Sequence, residues 1–330
     1  MATWWKKQVD SHYRSDEKWF KQLGDLDVFL TSYPLILRFA TTHICFHSHS
    51  IVFAGAGISM PAGVPGGHEV LSKIRELTGV QSNSLDDAVN QLRNEPDNLR
   101  RFIQWFNLGN WNAAPTYAHK RIIKEMNDGH IVALITTNWD SLFEKAYASY
   151  RTDWHFPPEK KLVICSSDED LEHLRQLDPE DIIVVYKIHG NALYYECPMC
   201  LGPEKFRIFD PTISSTGPLK CSFHNVDLKP PRIVMPSERI DRSQSKVWDE
   251  VTNLTQDSPI VFVIGYSGSD NYILRDYVHR FREKIFLIKP RKGSDPIDDL
   301  ISAEEPTRKL GYDADGFFRL INEIFKTGWP

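Results

Sequence analysis

The chain has 330 residues, 41% of them hydrophobic and 25% charged, with a formal net charge of −5. These are the fractions of an ordinary globular protein, and the negative charge argues against nucleic acid as an obligate partner. No apolar run approaches the length of a membrane span and residues 1–20 carry no signal-peptide pattern, so no membrane association and a cytoplasmic location are expected. Five cysteines, an odd number with two of them paired as CxxC, suit a reducing compartment and a metal better than a disulfide framework.

In chain order, residues 1–48 place Trp4, Trp5, Trp19, Phe20, Phe29, Leu30 and Leu35 at roughly helical intervals. They predict a helical extension packed on the main domain or on another subunit, and the exposed aromatics suit an oligomer contact. Ile51-Val52-Phe53 predicts a buried strand, followed at once by Gly55-Ala56-Gly57 and then by Ile58-Ser59, where a helix is expected to begin. A strand turning through glycines into a helix aims backbone N–H groups outward beside the positive end of the helix dipole, which suits a pyrophosphate. Glycine is expected there because a Cβ would hold the phosphate away and forbid the turn. The third glycine of the GxGxxG pattern is absent, so this stretch alone is equally a packing turn.

Residues 69–110 predict polar helices ending in an aromatic patch (Phe102, Trp105, Phe106, Trp111), either a small module over the nucleotide site or plain packing. Pro115 opens a helix, Pro115–Asp128, that Gly129 ends. Ile131–Thr136 predicts a strand running into Thr137-Asn138-Trp139-Asp140 and a helix, Ser141–Tyr150. Asp168–Leu177 predicts a helix, and Ile182–Ile188 a strand ending at His189-Gly190. Beyond a cysteine-bearing interruption come the strand Arg232–Met235, the helix Ser237–Thr255 and the strand Ile260–Ile264. The glycine turn Gly265–Ser269, the helix Asn271–Arg282, the strand Ile285–Ile288 and a helix near Phe317–Phe325 complete the series. Apolar strands alternating with helices predict an α/β fold: a doubly wound, mostly parallel, Rossmann-like sheet covered on both faces.

In such a sheet ligands bind beyond the carboxyl ends of the strands. Four predicted strand ends carry unusual residues: Gly55-Ala56-Gly57, Asn138 with Asp140, His189, and Gly265-Tyr266-Ser267. Each has an innocent reading, Asp140 as a helix cap above all, but their gathering at several strand ends points to a site. Separately, Cys197-x2-Cys200, twenty residues and Cys221-x2-His224 offer two close ligand pairs for a closed, structural Zn²⁺ in a zinc-ribbon-like module. His224 is the least typical of the four. Cys45 and Cys165 read as core thiols.

From Val52 to Ile288 these features together resemble the sirtuin family. The family's GAGIS appears as Gly55-Ala56-Gly57-Ile58-Ser59, followed by Gly63-Val64-Pro65; its TQNxD as Thr136-Thr137-Asn138-Trp139-Asp140; its HG as His189-Gly190; its GTS turn as Gly265-Tyr266-Ser267. The resemblance implies one domain over 49–330, with a helical insertion at about 66–114 and a zinc module at about 191–231. It implies NAD⁺ as substrate, bound by Gly55, Ala56, Gly57, Ser59, Pro65, Thr137, Gly265 and Ser267, with the nicotinamide end near Asn138, Asp140 and His189.

The departures carry information too. Gly66-Gly67-His68 stands where deacylases of the family have Asp-Phe-Arg, and Met235-Pro236-Ser237-Glu238 where they have the Phe-Gly-Glu that pairs with an acylated peptide. Proline lacks the N–H such a pairing needs. Lys289-Pro290 replaces the asparagine expected after the last strand. Such changes resemble the branch of sirtuin-like domains that hydrolyse NAD⁺ outright, many of them in bacterial antiphage systems. That branch implies NAD⁺ hydrolysis to nicotinamide and ADP-ribose, with Asn138 and Asp140 placing the leaving end and His189 as general base. It also implies a homo-oligomer and control by a protein partner such as an ATPase or helicase-type subunit. An NAD⁺-dependent protein lysine deacylase and a silent NAD⁺ or ADP-ribose sensor fit the same residues.

Overall fold

The computed structural model describes residues 50–153, 160–192, 194–197, 199, 206–208, 220–228, 245–268, 273, 277–289, 297, 309–310 and 313–319. The predicted 1–48 extension, the strand Arg232–Met235, Cys200 and most of the segment 269–276 lie outside them.

Strand β1 (Ser50–Ala54) is buried along its whole length, with Ile51, Val52 and Phe53 fully shielded from solvent. Burying a side chain of that kind contributes about 1.5–3 kcal/mol, which is why this apolar run takes the middle of the sheet rather than an edge. Around it lie β2 (Ile131–Thr136), β3 (Lys161–Cys165), β4 (Ile182–Lys187), β7 (Val261–Ile264), β8 (Ile285–Ile288) and β9 (Lys309–Leu310). The seven-stranded order is β3-β4-β2-β1-β7-β8-β9, and every pairing is parallel. A second, two-stranded antiparallel sheet joins β5 (Tyr194–Glu196) to β6 (Phe206–Ile208). From β1 the chain builds first toward β2 and β4, then returns to the other side of β1 for β7 and β8. The reversal falls between β1 and β7, where an open α/β sheet leaves a crevice.

The helices are α1 (Gly67–Thr78), α2 (Leu85–Arg93), α3 (Pro96–Asn112), α4 (Tyr117–Asn127), α5 (Leu142–Asp153), α6 (Asp168–Leu174) and α7 (Ser245–Asp257). Because strand side chains alternate, one face of the sheet presents Val52, Leu134, Val185, Phe262 and Phe286 to Ile122, Ile123 and Met126 of α4 and Phe143 of α5. The other presents Ile51, Phe53, Ala133, Ile135 and Val263 to Leu171 of α6, Val247 and Val251 of α7, and Tyr277. The doubly wound reading therefore holds. A third cluster binds α1, α2 and α3 to one another through Val70, Ile74, Val89, Leu92, Phe102 and Phe106, and takes in Trp139 from the strand rim.

Helix starts follow local chemistry. Ser84 accepts from Asp87 N (3.4 Å) ahead of α2, and Ser167 from Asp170 N (3.2 Å) ahead of α6. The helix expected at Ile58-Ser59 is absent: two three-residue 3₁₀ turns, Ala56–Ile58 and Met60–Ala62, stand there, and the α-helix begins only at Gly67. Pro61 and Pro65 withhold the backbone donors an α-helix would use. Strand β3 is a further difference, since nothing in the sequence reading foresaw it. It is an edge strand whose residues are mostly half-buried, so its apolar run is short and its alternation weak.

Candidate functional site

The carboxyl ends of β4, β2, β1, β7 and β8 open on one cavity of about 510 Å³. Its size is ordinary for a small-molecule or cofactor site. Its rim is organised by an interlock of two loops. Gly57 N donates to Gly265 O (2.8 Å), Gly55 N to Ile264 O (2.9 Å), and Gly265 N to Ile288 O (3.2 Å). A Cβ on Gly55 or Gly57 would stand 2.7–2.8 Å from the backbone of Gly265 or Tyr266. Gly265 has a positive φ of 62°, and a Cβ on it would meet Ile58 N at 2.5 Å. These glycines are therefore required by the approach of the two loops to each other, the packing reading that the sequence left open beside a phosphate site. The same packing consumes donors: Ile58 N serves Gly55 O (3.2 Å) and Ser59 N serves Ala56 O (3.0 Å).

Asn138 lies two residues beyond Thr136 of β2, and His189 two beyond Lys187 of β4, and these strands pair Thr136 with Lys187. Both side chains are buried and both line the cavity. Asn138 Nδ2 donates to Gly55 O (3.2 Å) and Ser59 Oγ (3.1 Å), while its own N–H reaches Thr136 Oγ1 (3.0 Å). The carbonyl of Gly55 can only accept, which turns the amide nitrogen toward it and leaves Asn138 Oδ1 buried with no partner among the described residues. An orphaned acceptor on a residue that lines the cavity fits a ligand carrying an amide N–H or a water. Asp140 also lines the cavity, but its Oδ1 accepts from Leu142 N (3.0 Å), so it caps α5 at the same time. Burial pushes His189 down to about 3, well below the near-neutral value of a free imidazole, so the ring is neutral at physiological pH.

Behind Asn138 a polar chain continues that the sequence did not disclose. Ser59 Oγ contacts His119 Nε2 (3.3 Å), and His119 Nδ1 contacts Thr116 Oγ1 (2.9 Å). His119 is fully buried against Phe143, and burial takes it down to about 4 despite the opposing pull of Asp140 and Asp315. A lone histidine on an apolar helix face gives no signal of such a contact, because Ser59 is sixty residues away. Two more residues hold the rim. Trp139 Nε1 donates to His189 O (3.0 Å), and the fully buried Lys187 donates to Asp140 O (2.5 Å) while pairing with Glu144 (2.7 Å).

Residues 132–292 match the SIR2-like domain family. Among solved structures the chain is similar to Sir2Tm bound to a propionylated peptide (20% identity, TM-score 0.51, covering 84% of this chain and 93% of that one). It is also similar to a histidine-to-asparagine mutant of a Sir2 homologue complexed with ADP-ribose (16%, 0.53, 86% and 96%) and to a Sir2 mutant with p53 peptide and NAD (21%, 0.52, 84% and 94%). No curated protein matches the chain. Its fold is the sirtuin fold.

Of the residues singled out in the sequence, Ala56, Gly57, Ser59, Pro65, Thr137, Asn138, Asp140, His189, Gly265 and Ser267 line this one cavity. Gly55 stands behind them in the interlock. The wall contributed by the helical segment is apolar: Met60, Val64, Val70, Leu85 and Phe106. Gly67 lies on that side, where the sirtuin deacylase pattern would carry a phenylalanine.

The cysteine segment forms a separate cluster. Cys197 Sγ and Cys221 Sγ lie 3.6 and 3.8 Å from His224 Nδ1, and the three ligand atoms fall within 4.8 Å of one another. A tetrahedral zinc with Zn–S near 2.3 Å and Zn–N near 2.0 Å has S···N edges of about 3.6 Å, so the donor set fits. Met199 N donates to Cys197 Sγ (3.4 Å), as expected of a thiolate acceptor. Burial alone would raise the Cys221 thiol. Hydrogen bonds from the backbone of His224 and Phe223, with Cys197 and His224 side chains, outweigh it and bring it to about 6. The predicted fourth ligand, Cys200, lies outside the described residues.

Proposed function

We propose that this protein hydrolyses NAD⁺ to nicotinamide and ADP-ribose, as the effector of a bacterial NAD⁺-depleting antiphage system. The observation that carries the reading is Asn138, which lines the same cavity as His189: its side chain is held by Gly55 and Ser59, and its Oδ1 is buried without a partner among the described residues. The nicotinamide carboxamide carries an N–H that would satisfy this acceptor, and so would the attacking water. The C1′–N bond breaks with its electron pair leaving on nicotinamide, and positive charge builds on the ribose in an oxocarbenium-like transition state. The Asp140 carboxylate at the rim favours that charge. Water attacks C1′ and loses its proton toward His189, whose neutral imidazole is an acceptor at physiological pH. The negative diphosphate of the substrate raises the ring's proton affinity above its value in the free site.

Replacement of Asp-Phe-Arg by Gly66-Gly67-His68 supports simple hydrolysis over deacylation, since bulk that would shield the reacting ribose from water is missing. A structural Zn²⁺ on Cys197, Cys200, Cys221 and His224 belongs to the same proposal, as do a homo-oligomer and a controlling ATPase-type subunit, because an unregulated NAD⁺ hydrolase is toxic to its own cell. Among the described residues no helix is long and apolar enough to cross a membrane.

The test is to incubate the purified protein with NAD⁺ and separate the products. Nicotinamide and ADP-ribose are expected without any acylated peptide, and Asn138→Ala or His189→Ala should cut turnover by roughly a hundred- to ten-thousand-fold. Strict dependence on an acylated peptide would make it a deacylase. Saturable NAD⁺ binding without product at high enzyme concentration would make it a sensor.

A further inference from the structure

Asn138, Asp140 and His189 stand past the ends of β2 and β4, beyond the regular ladder. Ile188 N still donates to Thr136 O (3.1 Å), but the chain then turns at Gly190, which has a φ of 75° and returns its N–H to Lys187 O (3.1 Å). His189 is therefore a turn residue, and its spacing from Asn138 and Asp140 is set by contacts other than the sheet.

Two buried side chains cross between the loops in opposite directions. Trp139, from the loop after β2, donates Nε1–H to the carbonyl of His189 (3.0 Å), and Ala192 N donates in return to Trp139 O (3.3 Å). Lys187, the last residue of β4, donates to the carbonyl of Asp140 (2.5 Å) and pairs with Glu144 (2.7 Å). Each loop thus grips the backbone of the other loop's functional residue. The indole lies edge-on to Phe102 and Phe106 of α3, with ring centroids 6.4 and 6.0 Å away and planes at 90° and 71°, which fixes the direction of its N–H. Lys187 is fully buried, so its ion pair is little screened by salt or water. Asp140 is held a second time by Leu142 N on Oδ1 (3.0 Å), so its backbone and its carboxylate are both anchored.

We propose that Trp139 and Lys187 are positioning residues, two reciprocal tethers that set the distance between His189 and the Asn138–Asp140 pair and with it the rate of the chemical step. This rests on the NAD⁺ hydrolase reading for what the positioned groups do. A misplacement of about 1 Å at a reacting centre costs on the order of a hundredfold in rate. The glycine turns after β1 and β7, by contrast, are held by their own interlock. Loss of a tether therefore falls on kcat rather than on ADP-ribose affinity.

The experiment measures NAD⁺ turnover and ADP-ribose binding in wild type, Trp139→Phe and the neutral pair Lys187→Met/Glu144→Gln. Phenylalanine keeps an aromatic wall on the cavity while removing the N–H, and the neutral pair avoids leaving one buried charge alone. Each variant is expected to lose about ten- to a hundredfold in kcat, with KM and ADP-ribose affinity within about threefold of wild type. Because both tethers hold the same two loops, the combined variant is expected to lose less than the product of the separate losses. Unchanged kcat in Trp139→Phe, losses that multiply in full, or a fall in affinity matching the fall in kcat overturns the proposal. A second readout needs no turnover: the indole N–H resonance of Trp139, assigned by its disappearance in Trp139→Phe. It is expected to exchange slowly with solvent in wild type and faster in the neutral pair, and rapid exchange in wild type overturns the tether. If the neutral pair prevents folding, Trp139→Phe decides by its kcat and by that resonance. A wild type that releases no nicotinamide defeats the hydrolase reading, and the indole exchange still judges the tether.

Discussion

Substituting Gly57 by alanine tests whether the two glycine turns really lock together. A Cβ on Gly57 would lie 2.8 Å from both the Cα and the carbonyl oxygen of Gly265. Reaching ordinary contact requires the loops to part by about 0.6 Å, and both partners are backbone, with no rotamer to yield. Overpacking of this kind costs about 1–3 kcal/mol, and the Gly57 N to Gly265 O bond adds about 1 kcal/mol if it breaks. The sum, roughly 2–4 kcal/mol, should lower the melting temperature by about 4–8 °C in a domain of this size. Since the same loops line the cavity, ADP-ribose affinity should fall by about tenfold or more for a misplacement of this order. Gly67→Ala is the matched control: nothing lies within 4 Å of its added Cβ, and it stands at the first turn of α1. That change should be neutral or stabilise by up to about 1 kcal/mol. Differential scanning fluorimetry and titration of ADP-ribose read both. If Gly57→Ala melts within two degrees of wild type (about the resolution of 1 kcal/mol) and binds ADP-ribose unchanged, the interlock argument fails.

Two further outcomes follow from the buried groups. His119 is neutral when folded, with its pKa near 4, but takes a proton near 6.5 when unfolded. Between those values the unfolded chain binds more protons, so stability rises with pH, and at pH 5 the cost is on the order of 2 kcal/mol relative to neutral pH. Urea denaturation at pH 7.5 and 5 should show that loss in wild type, together with a similar share from His189, and a smaller total in His119→Gln; equal losses would remove His119 as a source. For the cysteine cluster, elemental analysis should find stoichiometric zinc, and Cys221→Ser should lose it together with stability. A metal held at a thousand times its dissociation constant contributes about 4 kcal/mol, a loss visible on chelation. Zinc-free protein with unchanged melting would show that Cys197, Cys221 and His224 serve some other purpose.

The pattern of apolar strands and intervening helices was enough to specify a parallel α/β sheet, and the cavity lies at the carboxyl ends where such a sheet opens. Burial on both faces demands continuous apolar runs, and Ile51–Phe53 and Ile131–Thr136 carry that demand openly. Short polar motifs at those ends likewise singled out Asn138, Asp140 and His189, because their gathering at several strand ends is harder to explain by caps and turns than any one of them alone. What the sequence alone could not decide is what each residue faces. Gly55 and Gly57 read as a phosphate cradle, yet their missing Cβ atoms make room for the backbone of Gly265, more than two hundred positions away. His119 and Lys187 read as ordinary helix and strand residues, and only packing carried one against Ser59 and the other beneath Asp140. A free imidazole suggested a titration near neutrality for His189, whereas exclusion of water by the folded rim drives it to about 3. Local pattern sets which elements form, since periodicity and turn chemistry act between near neighbours. Loop-to-loop contact, desolvation and cross-strand tethering arise between distant segments and exist only once the sheet has assembled.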